Sequence, residues 1–379
     1  MAQVKLGDVA VESRETYKGD KSGMPIVGLE HITPGEVTLS NWDTDTDNTF
    51  TKRFRKGDML FGRRRAYLKK AAQAPFDGIC SGDITVIRAK EDLLLPELLP
   101  FIIQNDNLFD FAVGKSAGSL SPRVKWDNLK NYTFELPLME EQKKLAEMLW
   151  SINDTLQAYQ KLLYETGELV KAYFIDSFGD LKSNEKNWKK EPLQQYADVI
   201  VGYPFQSSGY TEQGISIVGG YNLMQGFVLW NESKHWPDSA GYERYLLQEG
   251  DIVMAMDRPW VGNGFKMSRI KSKDLPALLI QRTACIRARC IERDFLYAML
   301  DSVWFAEHCH IKGSIVPHIS NKDINTFKIF IPPVEMQKQF TSFVQQNEKA
   351  KNALQNAITS LQTTKCCILE GALGTGRKE

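Results

Sequence analysis

Short runs of apolar, mostly β-forming residues, separated by Gly, Pro and Asp, occupy two stretches of this 379-residue chain. The first stretch contains PIVGL, DMLFG and ITVIR, and the second contains ISIVGG, DIVMAM and TACIRA. This pattern predicts short strands joined by turns, and therefore a β-rich α+β domain in each stretch. After these runs each stretch predicts a helix (about 96–111 and 292–307), then a short strand and a proline step.

Beyond the first proline step the apolar residues change to alternating spacings of four and three. They define a seam through Leu145, Leu149, Ile152, Leu156, Tyr159 and Leu163, then Val170 and Tyr173, with Thr166 as the one polar position. Such a/d spacing predicts a helix that packs against another helix. From about 139 to 178 this helix would be roughly 60 Å long, which exceeds what one small domain needs to cover its core.

The two stretches are copies of one unit. RKGDML (55–60) resembles QEGDIV (248–253), GSLSPRV (118–124) resembles GSIVPHI (313–319), and FELPLMEEQKK (134–144) resembles IFIPPVEMQKQ (329–339). PIVGLEHI (25–32) and SIVGGYNL (216–223) form a fourth pair, and the offsets drift only from 191 to 195 residues. Four matches in one order predict a duplication.

The helical seam is duplicated as well. Moved by 195 residues, it contains the apolar positions Phe340, Val344, Leu354, Ile358 and Leu361 and the polar positions Asn347, Lys351 and Lys365. Polar residues in a seam cost stability and fix register or orientation. We therefore predict that the two long helices pair within the chain; two unrelated solvent-facing helices are the alternative.

Positive charge is concentrated at one equivalent place in each repeat, although the whole chain has a net charge of zero. Residues 52–70 contain nine Lys or Arg and one Asp, and residues 258–293 contain nine Lys or Arg and two acidic residues. Aromatic residues are interleaved with both. Arginine can bind phosphate or guanine edges bidentately, so DNA is the favoured partner, with a merely solvated charged face as the alternative.

The remaining motifs indicate no catalysis. GALGTGRK (371–378) lacks the Lys-Ser/Thr of a phosphate loop and fits a glycine helix cap better. His308-Cys309-His310 lacks a second ligand pair for a metal, and Asp83 with Glu91 lacks the partners of a nuclease cluster. The six cysteines show no CxxC pair and are expected to be buried reduced thiols. With no signal peptide and no apolar run of membrane-spanning length, a cytoplasmic, non-membrane protein is expected.

This arrangement resembles the specificity (S) subunit of type I restriction–modification enzymes. The resemblance rests on the twice-repeated step from proline into an EEQ or EMQ helix start, and on GDMLFGRRRAYLKKAA and FDGICSGDI. It implies two tandem β-rich target-recognition domains, each followed by a long helix, with the helices paired as an antiparallel coiled-coil spacer. The corresponding ranges are 1–138 and 181–333 for the domains, and 139–180 and 334–379 for the helices, the last with a C-terminal tail.

The resemblance also implies a function. Each domain would read one half of a bipartite asymmetric site in double-stranded DNA, and the helices would dock two methyltransferase subunits. Restriction and translocation subunits could then join. The chain itself would be no enzyme and would hold no cofactor or metal, because S-adenosylmethionine would bind in the partner methyltransferase subunits.

Candidate DNA-binding residues come from the two basic stretches. They are Arg63, Arg64, Arg65, Tyr67 and Lys69 in the first repeat, and Arg258, Trp260, Asn263, Lys266 and Arg282 in the second. Because the two sets share little sequence, the two half-sites should differ.

Two other classes of protein compete with this interpretation. A stand-alone modification enzyme would need a methyl-donor pocket and a catalytic motif. A non-catalytic coiled-coil adaptor would not bind DNA, and it would show no salt-dependent affinity for a duplex.

Overall fold

The computed structural model describes residues 2–44, 48–262, 264–311 and 317–374. The chain divides into two compact units, each of which is considered by itself. Unit 1 comprises Met1–Leu162 and Leu354–Glu379, and unit 2 comprises Leu163–Ala353. Each unit therefore contains one globular region and part of both long helices.

Unit 1 begins with a globular region of short strands and short helices. The strands are β1 (Ala2–Lys5), β2 (Ala10–Ser13), β3 (Ile26–Val27), β4 (Lys52–Phe54), β5 (Met59–Gly62), β6 (Ala71–Gln73), β7 (Gly78–Cys80), β8 (Ile84–Ala89) and β9 (Thr133–Leu136). The helices are α1 (Leu6–Val9), α2 (Leu99–Ile103), α3 (Asp106–Gly114) and α4 (Trp126–Leu129). The three runs predicted as strands are β3, β5 and β8, which confirms them.

The central sheet of unit 1 is antiparallel, with the order β2-β8-β5-β6. Met59 pairs with Ile87 and Leu60 with Val86. Met59 and Ile87 belong to the core that contains the helices, whereas Leu60 and Val86 belong to a second core on the opposite face. Because both faces are covered, β5 is a continuous apolar run and shows no alternation. A smaller sheet has the order β3-β7-β4, and β1 pairs with β9.

Unit 2 repeats this organisation. Its strands are β10 (Lys190–Pro192), β11 (Ala197–Val201), β12 (Ile215–Val218), β13 (His235–Trp236), β14 (Ile252–Ala255), β15 (Trp260–Val261), β16 (Gly264–Phe265), β17 (Met267–Arg269), β18 (Ala277–Leu279), β19 (Thr283–Ala288) and β20 (Lys328–Phe330). The central sheet has the order β11-β19-β14-β17, and β10 pairs with β20. The predicted strand runs are β12, β14 and β19, which confirms them too.

Two long helices follow the globular regions. The first is α5 (Met139–Phe178) and the second is α9 (Val334–Leu373), each 40 residues long. In unit 1, Leu145 and Leu149 share a core with Leu369 and Leu373. In unit 2, Phe174 and Phe178 share a core with Phe340 and Val344. The beginning of each helix thus packs beside the end of the other, which is the antiparallel pairing predicted above.

The remaining seam positions follow the same pattern of burial. Leu156 and Ile358 are buried, at 7% and 4% exposure. Five further apolar positions are half-buried: Ile152, Tyr159, Leu163, Leu354 and Leu361. Lys365, a polar seam position, places its ammonium 5.2 Å from the centre of the Phe101 ring.

The repeated glutamine of the EEQ and EMQ starts fixes each long helix to its globular region. Gln142 is buried; its Oε1 accepts from the Leu95 N–H (2.9 Å), and its Nε2 donates to the carbonyls of Leu93 (3.1 Å) and Pro137 (3.0 Å). Gln337 is also buried; it accepts from the Glu292 N–H (3.0 Å) and donates to the Pro332 carbonyl (2.9 Å). The same side chain makes the same kind of connection in both units.

The helices predicted before the proline step of each repeat are wrong as single elements. Residues 96–111 contain α2 and α3, and residues 292–307 contain α6 (Arg293–Leu300) and α7 (Val303–His308). The breaks occur where a polar side chain caps a new helix: Asn105 accepts from the Asn107 N–H, and Ser302 accepts from the Phe305 N–H. Such caps favour a helix start over continuation. One more helix, α8 (Asn321–Thr326), precedes β20.

The expectation of uniformly buried cysteines is also wrong. Cys80, Cys285 and Cys309 are buried, but Cys290, Cys366 and Cys367 are exposed. Cys366 and Cys367 lie on the outer side of α9, where the seam pattern does not require an apolar residue. Among the residues described, no helix is both long and apolar enough to cross a membrane.

Candidate nucleic-acid interface

An ion pair with a buried carboxylate lies at the Gly-Asp turn of each repeat. In unit 1, Arg88 donates to both oxygens of Asp58 at 2.7 Å, and Asp58 is 2% exposed. In unit 2, Arg287 donates to both oxygens of Asp251 at 2.8 and 2.7 Å. The preceding Gly57 and Gly250 have φ of 91° and 87°, which favours glycine. The repeated Gly-Asp turn therefore sets where β5 and β14 begin.

Three loops meet beyond the end of β5, at a place that we call the first junction. It comprises Arg63–Arg65, Asp83 and Ser121–Arg123. The Arg63 N–H donates to the Asp83 carbonyl (3.0 Å), and the Arg65 N–H donates to the Pro122 carbonyl (2.8 Å). A β-bridge joins Arg64 to Arg123. Residues far apart in sequence are thus held together by backbone hydrogen bonds.

Unit 2 has an equivalent second junction, comprising Met256–Arg258, Arg282 and Pro317–His318. The Met256 N–H donates to the Arg282 carbonyl (2.9 Å), and the Arg258 N–H donates to the Pro317 carbonyl (3.1 Å). Here the β-bridge joins Asp257 to His318. Arg65 and Arg258, which are 193 positions apart, both have positive φ (53° and 45°). The two junctions therefore share one backbone design.

In the first junction one carboxylate holds two arginines. Asp83 accepts from Arg123 at 2.8 and 3.3 Å, and its Oδ2 lies 3.6 Å from Nη1 of Arg64. Nε of Arg64 donates to the Ser121 hydroxyl at 2.7 Å. The hydrogen bond from Arg123, together with the nearby charges of Arg64 and Arg63, holds the pKa of Asp83 below its ordinary value. The carboxylate is therefore ionised at neutral pH, and the cluster keeps an excess of positive charge.

In the second junction the carboxylate comes from a different loop. Asp257 forms an ion pair with Arg282, whose Nη1 lies 3.1 Å from Oδ2, and its Oδ1 lies 2.5 Å from Nδ1 of His318. The Arg282 side chain is 74% exposed, and Asp257 and His318 are 37% and 56% exposed. A solvent-facing cation therefore lies beside a partly exposed carboxylate.

The other candidates of the first repeat lie close by in sequence but do not join the ion cluster. Arg65 and Tyr67 are exposed, Tyr67 at 54%. The Lys69 ammonium pairs with Asp106 at the start of α3, and both side chains are exposed. These three side chains are accessible to a ligand that approaches this surface.

The candidate residues of the second repeat differ more in their surroundings. The indole N–H of Trp260 donates to the Gly262 carbonyl (2.8 Å), and its ring lies edge-on to Phe265, so Trp260 stabilises the β15-β16 hairpin. Lys266 is half-buried and donates to the Gly220 carbonyl, and burial lowers its pKa. Arg258 is exposed. Asn263 lies outside the described residues.

The basic stretches did not reveal Arg123, His318 or the paired carboxylates Asp83 and Asp257. Arg123 and His318 directly follow the prolines of the GSLSPRV and GSIVPHI pair. A basic side chain at the same position of both repeats was the signal that could have identified them. Asp83 was considered only as a nuclease carboxylate, because its arginine neighbours are distant in sequence.

Two motifs that indicated no chemistry have structural roles. His308 ends α7, where Nε2 lies 3.0 Å from the Asp323 carbonyl and the ring packs near Phe327. Gly374 directly follows α9 and has φ of 62°, as a glycine helix cap requires. Within the described part of the chain, no three His, Cys, Asp or Glu side chains are grouped as a metal site would need.

Comparison with known proteins gives a family match over the first part of the chain. Residues 1–164 match the family model of the type I restriction modification DNA specificity domain. The MjaVIII specificity subunit of Methanocaldococcus jannaschii is 26% identical over 246 residues, covering 60% of this chain and 58% of that protein. The EcoAI specificity subunit of Escherichia coli is 29% identical over 184 residues, covering 47% and 31%. The chain thus spans less than two thirds of either relative.

A solved structure is similar over almost the whole chain. It comes from work on complex assembly and conformational transition of the type I R-M system. The two chains superpose with a TM-score of 0.58 at 22% identity, covering 98% of this chain and 97% of the other. This likeness confirms the predicted fold of β-rich domains and long helices.

Proposed function

We propose that this chain, which belongs to the type I restriction–modification specificity subunits, recognises duplex DNA and reads a bipartite, asymmetric site. One observation carries the proposal: each unit presents charged side chains at the same three-loop junction. Arginine is suited to both phosphate and guanine edges. Because the side chains of the two junctions differ, each unit would read a different half-site.

Different side chains would contact the phosphates and the bases. Phosphate contacts position a protein, whereas contacts to base edges specify sequence. Arg65 and Lys69 in unit 1 and Arg258 in unit 2 are exposed cations that do not take part in the ion pairs of Asp83 and Asp257, and we assign them to phosphate. Tyr67 would pack against the backbone. Arg63, Arg64 and Arg282, which belong to the junctions, would reach base edges.

The long helices would serve as spacer and as docking surface for two methyltransferase subunits. Both are continuous over 40 residues, or about 60 Å. The outer side of α5 exposes several large apolar side chains, whereas among the described residues of α9 only Val334 is such a residue. Those of α5 are Met139, Met148, Leu162, Tyr164, Leu169 and Ile175. Exposed apolar patches mark protein interfaces.

The chemistry would then belong to the partners. The methyltransferase subunits would bind S-adenosylmethionine and transfer the methyl group, and restriction and translocation subunits could join them. This chain would contribute recognition and no catalysis, and it would act in the cytoplasm, where the host DNA is.

The salt dependence of duplex binding tests this proposal. Binding of the full chain, assembled with its methyltransferase subunits, should weaken steeply as salt rises, because bound phosphates release counterions. Lys69→Ala should weaken binding to all sequences alike and lower the slope of log affinity against log salt by about one. Fluorescence anisotropy on labelled duplexes at several salt concentrations measures both.

Lys266→Ala is the matched control, because Lys266 points to the Gly220 carbonyl and not to solvent. It should leave the salt slope unchanged. Wild-type binding without salt dependence or sequence preference would refute the proposal and favour the coiled-coil adaptor. Methyl transfer by this chain without partners would instead favour a stand-alone enzyme.

A further inference from the structure

The two junctions use the same three positions with the charges exchanged. In unit 1 the positions are Arg64, Asp83 and Arg123. The backbone hydrogen bonds and β-bridges described above make Asp257, Arg282 and His318 their equivalents. In each unit one carboxylate binds two basic side chains. In unit 1 the carboxylate comes from the loop before β8, whereas in unit 2 it comes from the loop after β14.

The exchange keeps the junction intact. Reversing both members of an ion pair preserves their attraction, whereas reversing only one creates repulsion. Asp83 with Arg64 and Arg282 with Asp257 are such a reversed pair, separated by 3.6 and 3.1 Å. The backbone framework is therefore independent of which loop carries the negative charge.

The exchange does change what each junction offers to a ligand. In the first junction, Arg64 and Arg123 are 40% and 43% exposed, and Asp83 beneath them is 22% exposed. Its accessible polar groups are mainly donors. In the second junction, Asp257 is 37% exposed beside Arg282, so a carboxylate acceptor is offered next to a donor.

Base edges differ in the same chemical property. Guanine presents two acceptors in the major groove, O6 and N7, which suit an arginine fork. Cytosine and adenine present an amino group there, which suits an acceptor such as a carboxylate. A donor-rich junction and a mixed junction should therefore favour different bases.

We propose that these charge triads determine base specificity, and that the loop that carries the carboxylate sets which base each unit prefers. This rests on the proposed DNA recognition and deepens it. The first triad prefers guanine. The second triad prefers a base that bears an amino group, which Asp257 binds; His318 holds that carboxylate in place, and Arg282 beside it donates to a base-edge acceptor.

A charge exchange in unit 1 tests this directly. Arg64→Asp and Asp83→Arg are made singly and together in the full chain, assembled with its methyltransferase subunits, and offered a duplex library of random sequence. Each single variant should lower the melting temperature, Asp83→Arg more strongly because it groups three cations without a carboxylate, whereas Arg64→Asp leaves Arg123 between two carboxylates. Arg64→Asp should also weaken binding, because it replaces a cation at the DNA surface by an anion. The double variant should regain the melting temperature.

The double variant should also change its sequence preference. Preference for guanine at one position of the first half-site should fall about 10-fold or more, and preference for amino-bearing bases should rise there. The second half-site should not change. A folded double variant with the wild-type preference would overturn the inference, and so would changes in both half-sites.

Two further variants keep the test decisive. If the double variant does not fold, Arg64→Gln with Asp83→Asn removes the charges at similar shape, and it should abolish the guanine preference without creating a new one; an unchanged preference would overturn the inference. The control is Asp198→Arg with Arg289→Asp, which exchanges an exposed pair 3.4 Å apart outside the two triads and should change neither half-site preference. A wild type without any sequence preference would refute the proposed function itself, whereas a preference that ignores the exchange refutes only this inference.

Discussion

The central sheets of the two units agree, whereas their smaller sheets do not. The orders β2-β8-β5-β6 and β11-β19-β14-β17 correspond strand for strand. In the smaller sheets β3 and β12 are both parallel to their neighbours β7 and β18, but the third strand differs. In unit 1, β4 pairs with β7, whereas in unit 2, β13 pairs with β12 on the other side.

The difference follows from burial. A strand covered on both faces has its register fixed, because a shift by one residue moves every side chain to the wrong face. The central strands are in this position. Strands β4 and β13 have three and two residues and lie at sheet edges, so they need only one neighbour. The buried central sheet is thus common to both units, whereas the edge strands and the loops differ between them.

Removing the buried carboxylate of the Gly-Asp turn that precedes β5 or β14 should have the largest effect on stability. Asp251→Asn removes the charge that Arg287 pairs with and leaves it an uncharged amide oxygen and the Leu246 carbonyl at 3.2 Å, so it should lower the free energy of unfolding by about 3–5 kcal/mol. Asp58→Asn should cost less, because Arg88 keeps Glu15 at 2.8 Å. Urea denaturation measures both. Asp198→Asn, which removes an exposed pair with Arg289, is the control and should cost under about 0.5 kcal/mol. Equal losses at Asp58 and Asp251 would show that Glu15 does not compensate.

The two glutamines that fix the long helices should give an intermediate effect. Gln142→Ala leaves the Leu95 N–H and two carbonyls without this partner, and should cost about 1–3 kcal/mol. Gln337→Ala loses two such bonds and should cost less. Thermal unfolding with separate probes of each unit measures the two losses. The exposed Gln157 is the control, and Gln157→Ala should stay within about 0.5 kcal/mol. A larger loss at Gln337 would contradict this order.

The seam position occupied by Lys365 and by Val170, its equivalent 195 residues earlier, should give the smallest effect. Burial lowers the pKa of Lys365, so the folded chain holds this proton less tightly than the unfolded chain. Stability should therefore rise with pH as it approaches the ordinary value of 10.5. Lys365→Met should remove this slope and stabilise unit 1 by up to about 1 kcal/mol, since the contact with Phe101 offsets part of the gain.

The reverse change in unit 2 sharpens this comparison. Val170→Lys should destabilise the chain, because Val170 packs against the core of unit 2. Lys144→Met, on an exposed position of α5, controls for the loss of a positive charge. Melting curves between neutral and alkaline pH distinguish the variants. A Lys365→Met variant that keeps the wild-type alkaline slope would show that another group causes it.

Many of the strands and the long helices could be predicted from the sequence because they follow from local periodicity and from the duplication. The boundaries of α5, the six strand runs and the shared helical seam follow from spacing alone, whereas the antiparallel direction of the pair was implied only by the family resemblance. The breaks before Asp106 and Val303 were missed because one capping side chain outweighs a continuing apolar pattern. Such a competition depends on a few hydrogen bonds, and periodicity does not register it.

The junctions were only half predictable. The basic stretches gave Arg63, Arg64 and Arg282, since they are clustered in sequence. Asp83, Arg123 and His318 come from other loops, and long-range backbone bonds bring them together. Lys266 shows the opposite error, because a lysine in a basic stretch can turn inward to a carbonyl. Charge density indicates a surface, but tertiary contacts decide which side chains are on it.

The division of unit 1 between two chain segments has a consequence for biosynthesis. The core of unit 1 includes Leu369 and Leu373, whereas unit 2 is one continuous segment, Leu163–Ala353. Translation runs from the amino terminus, and domains fold as their residues emerge. On the ribosome, unit 2 therefore has all its residues before unit 1 does. Synthesis of unit 1 thus begins first and is completed last. Until then Leu145 and Leu149 cannot pack against Leu369 and Leu373.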